Sequence, residues 1–288
     1  MKILIFGAAR GWIGGKLMAL VRAGGDLAII GKSRLEERES LAKEIEAVCP
    51  DLIFNAAGVT GEPNVDWCND HQIETIRSNL VGALNLFDIA NNFRIHLTNF
   101  GTGCIYEYDE YHPEGSSIGF KEEEPPNFIG SFYSKTKAML DELVKSYPAI
   151  LNLRLRMPLS SDLHPRNFIA KIIKYEKVVD IPNSMTVLDE LLPVAIVMAK
   201  NRFVGTYNFT NPGTISHNEI LSLYRDYIDS SFSWRNFSSE ELMKVCKAQR
   251  SNNELDVSKL LSHFPTISPI QESVRSLFKK MACSLPRD

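Results

Sequence analysis

The chain opens with MKILIFGAARGWIGGKLMALVRA, an apolar run that stops at a glycine loop and passes into a helix-patterned stretch. Few beginnings constrain a fold more. A buried strand that turns straight into a helix is the first half of a crossover unit, whose next strand returns parallel to the first. The rest of the first half repeats this unit. KILIF (2–6), LAII (27–30), LIFN (52–55) and IHLTNF (95–100) are short apolar runs. Between them, GGKLMALVRA (14–23), SRLEERESLAKEIEAV (33–48) and IRSNLVGALNLFDIANN (76–92) carry apolar residues at helical spacing, with charged faces. Strands apolar on both faces need cover on both sides, so the alternation predicts an α/β fold with a parallel sheet between helix layers. LNLRLRM (151–157) reads as a further strand.

Beyond Met157 the pattern loosens. Stretches rich in Pro, Asn and Ser (158–167, 180–186, 211–217) interrupt short helices such as NFIAKIIKYEK and HNEILSLYRDYI. We expect residues 1–156 to form a nucleotide-binding domain, its sheet completed by parts of 187–210. Residues 157–288 are then mainly a smaller substrate-binding unit over the sheet's carboxyl edge.

The first loop carries the ligand signal. Gly7 permits the tight turn, Gly11 a close approach of backbone to a pyrophosphate, and Gly14 close packing of helix on sheet. Arg10, Trp12 and Ile13 lie at the same helix start. NAAG (Asn55, Ala56, Ala57, Gly58) ends the third strand beside them. Position and context make this a dinucleotide site. The second strand ends in GKSR. Lys32, Ser33 and Arg34 stand where an acid would bind the ribose of NADH, and no acid comes before Glu36. Two cations and a hydroxyl suit a 2′-phosphate, so NADPH is expected in preference to NADH.

Net charge is −3 and 23% of residues are charged, which gives no electrostatic reason to expect nucleic acid or an anionic membrane as partner. No apolar run reaches the ~20 residues of a membrane helix. The apolar run of MKILIFG breaks after five residues with no cleavage site following, so it reads as a strand and not a signal peptide. Five cysteines (Cys49, Cys68, Cys104, Cys246, Cys283) are odd in number and widely spaced, and the six histidines lack ligand spacing. No disulfide framework and no metal are expected, and a reducing, cytoplasmic location fits.

SFYSKTKAMLDEL places Tyr133 and Lys137 four apart, on one helix face. A lysine cation so placed is expected to lower the phenol's pKa from ~10 by about one to three units, leaving a proton donor for a carbonyl oxygen. Together with the glycine loop, NAAG and a hydroxyl at Thr102, the pair resembles the extended short-chain dehydrogenase/reductase superfamily. That resemblance implies a doubly wound Rossmann sheet with a small C-terminal substrate domain for nucleotide sugars, and Thr102, Tyr133 and Lys137 as the reductase triad.

FNAAGVTGEPNVDWC, TGCIYEYD, RMPLSSDL, PRNFIAKIIKYEKVVDIPNSMTVLDELLP, YNFTNPGTISHNEIL and RSNNELD narrow the match. They resemble the nucleotide-rhamnose synthases, bifunctional enzymes that convert a UDP- or dTDP-linked 4-keto-6-deoxyglucose to the L-rhamnose nucleotide by 3,5-epimerisation and NADPH-dependent 4-reduction. One departure is the loop. The family usually spaces its first glycines Gly-x-x-Gly, whereas three residues separate Gly7 from Gly11, which leaves the roles of Ala9 and Arg10 at the phosphates open.

The resemblance gives Cys104 a purpose. Epimerisation beside a ketone needs a base on one face of the sugar and a donor on the other, and a thiol is easily ionised beside a cation. The resemblance assigns the base to Cys104 and the donor to Lys171, with Lys174 and Lys177 as local alternatives; Lys171 would need its pKa lowered by burial or by cationic neighbours. Asn167 and Arg250 are the candidate substrate-diphosphate ligands, with Arg154, Arg156 and Arg166 as competitors. The acidic run KEEEPP (121–126) reads as a solvated turn, and Trp12 and Trp67 as packing residues more than sugar platforms. Two other functions remain open: a 4-keto reductase without epimerase activity, and a non-catalytic NADP-binding regulatory subunit. A homodimer is as compatible with the sequence as a monomer. The 4-keto substrate is expected from a separate dehydratase.

Overall fold

The computed structural model describes residues 1–62, 64–237, 241 and 249–284. Six strands form one parallel sheet: β1 (Lys2–Phe6), β2 (Leu27–Ile30), β3 (Leu52–Asn55), β4 (His96–Thr102), β5 (Ile150–Leu155) and, after a two-residue strand β6 (Lys177–Val178) that lies elsewhere, β7 (Gly205–Asn208). Their spatial order is β2-β1-β3-β4-β5-β7. The chain steps outward from β1 to β2, then crosses back to pair β3 on the other side of β1, with Phe6 opposite Asn55. The strand order reverses between β1 and β3, and in open α/β sheets ligands bind at the carboxyl ends of the strands at such a reversal.

Each face of the sheet buries its own apolar cluster. On one side α1 (Trp12–Ala23) and α8 (Leu188–Lys200) pack through Leu17, Met18, Val21, Leu191, Leu192 and Met198. On the other, α2 (Arg38–Val48), α5 (Gly82–Asn92) and α6 (Phe132–Val144) contribute Leu41, Ile45, Leu86, Phe87, Leu140 and Val144. This is the doubly wound Rossmann arrangement that the alternation of strands and helices predicts. A third cluster joins α7 (Phe168–Ile172), α9 (His217–Tyr227) and the helix Ile270–Ser284 through Ile169, Ile220, Val274 and Phe278.

Two boundaries shift for local reasons. The second helix starts at Arg38 because the amides of Lys32 and Ser33 donate to the Glu44 carboxylate at 2.8 and 2.7 Å, fixing 32–37 as a loop. The fifth strand stops at Leu155 because the Arg156 amide leaves the ladder for Thr186 Oγ1, at 3.0 Å, and Met157 turns left-handed (φ 35°). Residues 250–256 then return across the molecule: the Tyr108 amide donates to Asn252 O at 2.8 Å and Phe120 to Glu254 O at 2.9 Å. Among the described residues no helix is long and apolar enough to cross a membrane.

Candidate active site

The glycine loop forms a cradle with no room for side chains. Gly7 takes φ 80°, and a β-carbon there would lie 2.5 Å from the carbonyl carbon of Ala56; one on Gly11 would lie 2.2 Å from Gly7 O. The extra residue is absorbed by a turn over Gly7–Arg10, closed by the Gly11 amide on Gly7 O at 3.1 Å, which leaves Ala9 and Arg10 exposed. Gly11 caps α1 without a side-chain acceptor, so its first-turn amides meet no capping side chain. An uncapped helix start over a glycine cradle fits the pyrophosphate of a dinucleotide.

Other expected cofactor residues divide by exposure. Trp12 is buried: its indole donates to Asp162 Oδ2 at 3.1 Å and stacks on His164, and Ile13 packs against the same core. Only their backbone remains for a cofactor. Asn55 is also buried; it donates to Asn99 Oδ1 at 2.9 Å and accepts from the Ala57 amide at 3.1 Å, so it shapes the loop Ala56–Gly58. Ser33 donates to Ser40 O at 3.2 Å. Lys32 and Arg34 are exposed, with Arg34 3.6 Å from Glu36.

Thr102, Cys104, Tyr133 and Lys137 converge at the end of β4 and the start of α6. Ser131 caps α6 through the Ser134 amide, at 3.1 Å. Buried Tyr133 shares a side-chain hydrogen bond with Thr102, whose hydroxyl accepts from the Cys104 amide at 3.1 Å. Cys104 itself is half-buried. Lys137 Nζ would lie 3.6 Å from a β-carbon on Gly58, at the end of the NAAG turn. Burial dominates the electrostatics. It raises the Tyr133 pKa, with Cys104 adding to the effect and Thr102 opposing it, and it lowers Lys137 to about 8. The downward pull of Lys137 on the phenol expected from their spacing does not govern here, because dehydration of the phenolate outweighs it. Tyr133 is therefore a neutral O–H donor near pH 7.

Lys171 is half-buried in α7, beside Arg166 and Glu62. Burial lowers its pKa, Arg166 lowers it further, and Glu62 opposes. Lys174 is exposed, and Lys177 is paired with Glu241. Arg166 spans to the loop after β3, donating to Thr60 Oγ1 at 3.0 Å and Glu62 Oε1 at 3.2 Å.

The substrate ligands divide. Arg250 forms a two-pronged pair with Asp66, at 2.8 and 3.0 Å, at the far end of the same loop. Asn167 is wholly buried: it caps α7 through the Ile169 amide, at 3.1 Å, and donates to Ser160 O, at 2.7 Å, and to Asp162 O. Its amide is committed to the loop, and the expectation of a diphosphate ligand there is corrected. Arg154 and Arg156 are likewise buried side chains of the protein interior. The acidic run also departs from the solvated turn expected, since Glu122 is buried and accepts from the Asn208 amide at 2.9 Å. Trp67 stacks on His71 at 4.0 Å. Cys246 lies outside the described residues.

Several supports were missed in the sequence. Asn79 sits in a π-helical turn (Arg77–Val81) and holds Val59: its Oδ1 accepts from the Val59 amide at 2.7 Å, and its Nδ2 donates to Val59 O at 2.8 Å. A π-turn in a helix is frequently a functional feature, but apolar periodicity gives no warning of it. Asn99 and Asn152 continue a buried row from Asn55 to Asp141, with links of 2.8 and 3.0 Å. Three asparagines at register-matched places in apolar strands were the available signal.

A family model, the NAD dependent epimerase/dehydratase family, matches residues 3–175. A bifunctional dTDP-4-dehydrorhamnose 3,5-epimerase/dTDP-4-dehydrorhamnose reductase of Arabidopsis thaliana is 60% identical over 94% of this chain and 90% of its own. A trifunctional UDP-glucose 4,6-dehydratase/3,5-epimerase/reductase of the same plant is 58% identical over 95% of this chain, which spans 41% of that larger protein. The crystal structure of a UDP-rhamnose synthase from Acanthamoeba polyphaga mimivirus superposes with a TM-score of 0.93 at 40% identity, covering 98% of this chain and 99% of that one. A glycine cradle at the strand-order reversal, a Tyr–Lys helix facing it and these likenesses over nearly the whole chain agree. The chain belongs to the NAD dependent epimerase/dehydratase family.

Proposed function

We propose that this protein is a bifunctional 3,5-epimerase/4-reductase that converts a UDP- or dTDP-linked 4-keto-6-deoxyglucose to the L-rhamnose nucleotide, with NADPH as reductant. The observation that carries the reading is half-buried Cys104 beside the reductase pair: its backbone amide donates to Thr102 Oγ1, which shares a side-chain hydrogen bond with Tyr133, and its thiol is near enough to raise the Tyr133 pKa. A reductase alone has no use for that thiol, and the relative 60% identical to this chain is named for both activities.

The residues divide the work as follows. The glycine cradle, the NAAG turn and Lys137 hold the dinucleotide, which supplies the hydride to carbon 4 when bound; Lys32 and Arg34 favour the phosphorylated form. Thr102 and Tyr133 take the carbon 4 oxygen. The ketone acidifies the hydrogens at carbons 3 and 5. The Cys104 thiolate removes each proton, the electron pair moves to the oxygen held by Tyr133, and the Lys171 ammonium returns a proton from the opposite face. Its lowered pKa makes Lys171 a better donor than an exposed lysine. During reduction Tyr133, kept protonated by burial, gives its proton to the oxygen. Arg250, already poised in a two-pronged geometry on Asp66, is the diphosphate ligand that fits best. Residues 1–156 serve the cofactor, and the later residues mainly the sugar nucleotide. A cytoplasmic location and a separate dehydratase as source of the ketone complete the proposal.

The test is incubation with each 4-keto nucleotide in deuterated water, following NADPH absorbance and product stereochemistry together. Wild type introduces deuterium at carbons 3 and 5 and consumes NADPH. Cys104→Ser introduces none, yet reduces a pre-epimerised ketone. Reduction by wild type without deuterium at carbons 3 and 5 overturns the epimerase half.

A further inference from the structure

The loop 160–167 contains no strand or helix, yet it is pinned to the helix that opens the cofactor cradle. Trp12 is the first residue of α1, directly after Gly11. Its indole N–H donates to Asp162 Oδ2 at 3.1 Å, and Lys16 Nζ, one turn further on, lies 2.6 Å from the same oxygen. The other oxygen, Asp162 Oδ1, accepts from the His164 amide at 3.0 Å, and the His164 ring stacks on the indole with centroids 5.4 Å apart. One carboxylate oxygen thus reaches across to α1 while the other shapes the loop. Asp189, in the first turn of α8, holds the start of the same loop. It accepts from Ser160 Oγ and Ser161 Oγ, each at 2.5 Å, and shares Lys16 at 3.4 Å.

The loop leads into α7, and hydrogen bonds connect it step by step to Lys171. The Arg166 amide donates to His164 Nδ1 at 3.1 Å, and the Asn167 amide to His164 O at 2.8 Å. Asn167 then joins loop to helix: its Nδ2 donates to Asp162 O, its Oδ1 accepts from the Ile169 amide at 3.1 Å, and its O accepts from the Lys171 amide at 3.2 Å. The series runs from the cradle helix through Asp162 and Asn167 to the backbone of Lys171. With only five residues, α7 is too short to hold its own conformation, so its place depends on the loop before it.

We propose that Asp162 is a positioning residue for epimerisation: by tying the loop 160–167 to Trp12 and Lys16, it sets Lys171 in place relative to the cofactor helix. This rests on the reading of Lys171 as the proton donor. It gives the indole of Trp12 and the half-buried Lys16 a task other than contact with the dinucleotide. It also explains why the Asn167 amide is committed to the loop and not to a substrate.

The experiment compares two rates at saturating NADPH: deuterium entry at carbons 3 and 5 of the 4-keto nucleotide, which uses Lys171, and reduction of a pre-epimerised ketone, which does not. Misplacing a reacting group by about 1 Å costs on the order of 100-fold, so Asp162→Ala is expected to slow deuterium entry by about 10- to 100-fold. Reduction is expected to stay within about threefold of wild type. Asp162→Asn keeps an acceptor for the indole and the His164 amide, and its deuterium entry is expected within about threefold of wild type. A merely structural role moves both rates together. Parallel losses, or slowing of deuterium entry by less than about threefold in Asp162→Ala, overturn the proposal. Where Asp162→Ala does not fold, Lys16→Met decides, since it removes the 2.6 Å pair from a half-buried position. It is expected to slow deuterium entry by more than about threefold with reduction retained, and a smaller effect overturns the proposal. Lys171→Met, run beside these, separates the two readings. Deuterium entry retained in Lys171→Met removes the donor reading and this proposal with it. Entry lost in Lys171→Met but kept in Asp162→Ala overturns the positioning role alone.

Discussion

His217, the first residue of α9, gives the fold an acid sensitivity that can be calculated. Among the described residues neither buried ring nitrogen has a hydrogen-bond partner, and the ring packs on Phe168 at 5.0 Å. Burial lowers its pKa from the ordinary 6.5 to about 4, against a small opposing pull from Asp180. The unfolded chain therefore binds a proton between those values that the folded chain refuses. The contribution to stability is complete above pH 6.5, fades as pH falls through the window and is gone below about 4. The ceiling is about 3 kcal/mol, at 1.36 kcal/mol per pH unit, and at pH 5 the loss amounts to about 2 kcal/mol. In His217→Phe no proton is available and the ring contact is kept. Urea unfolding of both proteins at pH 7.5 and pH 5 isolates the effect, because any packing cost of the larger ring is the same at both. The variant is expected to lose about 2 kcal/mol less than wild type on acidification. Equal losses, within about 0.5 kcal/mol, would refute the reasoning and place a hidden partner on the imidazole.

Asp141→Asn leaves the Arg154 guanidinium buried without its carboxylate and is expected to cost about 3–5 kcal/mol in urea unfolding; a cost under about 1 kcal/mol contradicts the pairing. Arg34→Ala, at an exposed side chain, is expected to raise the KM for NADPH roughly tenfold, the worth of one charge-assisted bond, with KM for NADH little changed. Equal effects on the two cofactors remove the 2′-phosphate assignment.

Much of the frame was legible because it rests on local periodicity. Apolar runs of four to six residues, a glycine loop and helical spacing located the six-stranded sheet's first five strands and the cradle between β1 and β3. The Tyr133–Lys137 helix was legible for the same reason: two side chains one turn apart share a face whatever surrounds them. What surrounds them was not legible. Spacing predicted a phenol acidified by its lysine, and burial reverses the direction. NFIAKIIKYEK reads as one helix, but α7 ends at Ile172, and Lys177–Val178 pair instead with a two-residue strand (β8, Arg235–Asn236), a partnership set by contacts nearly sixty residues apart. Asn167 looked like a ligand because it is polar in a loop, and only the folded loop reveals it as a cap. Arg154 and Arg156 carried the opposite signal: two cations within an apolar strand announce burial, and their partners then have to be found.

Those partners show why the site cannot be assigned to the first half of the chain alone. Cys104 and Tyr133 come from β4 and α6, yet the loop bearing the thiol is held by Ser251 and Asn253, which bond Tyr106 O at 2.5 and 2.8 Å. The loop after β3 is held at its other end by Arg250. One short segment, RSNNELD, therefore holds both loops, through Ser251 and Asn253 on a backbone carbonyl and through Arg250 on the Asp66 carboxylate. A sheet edge supplies direction but little rigidity to the loops that leave it. Rigidity here comes from buried hydrogen bonds to a segment some 150 residues distant, and this geometry couples the placement of the thiol to the docking of residues 250–256.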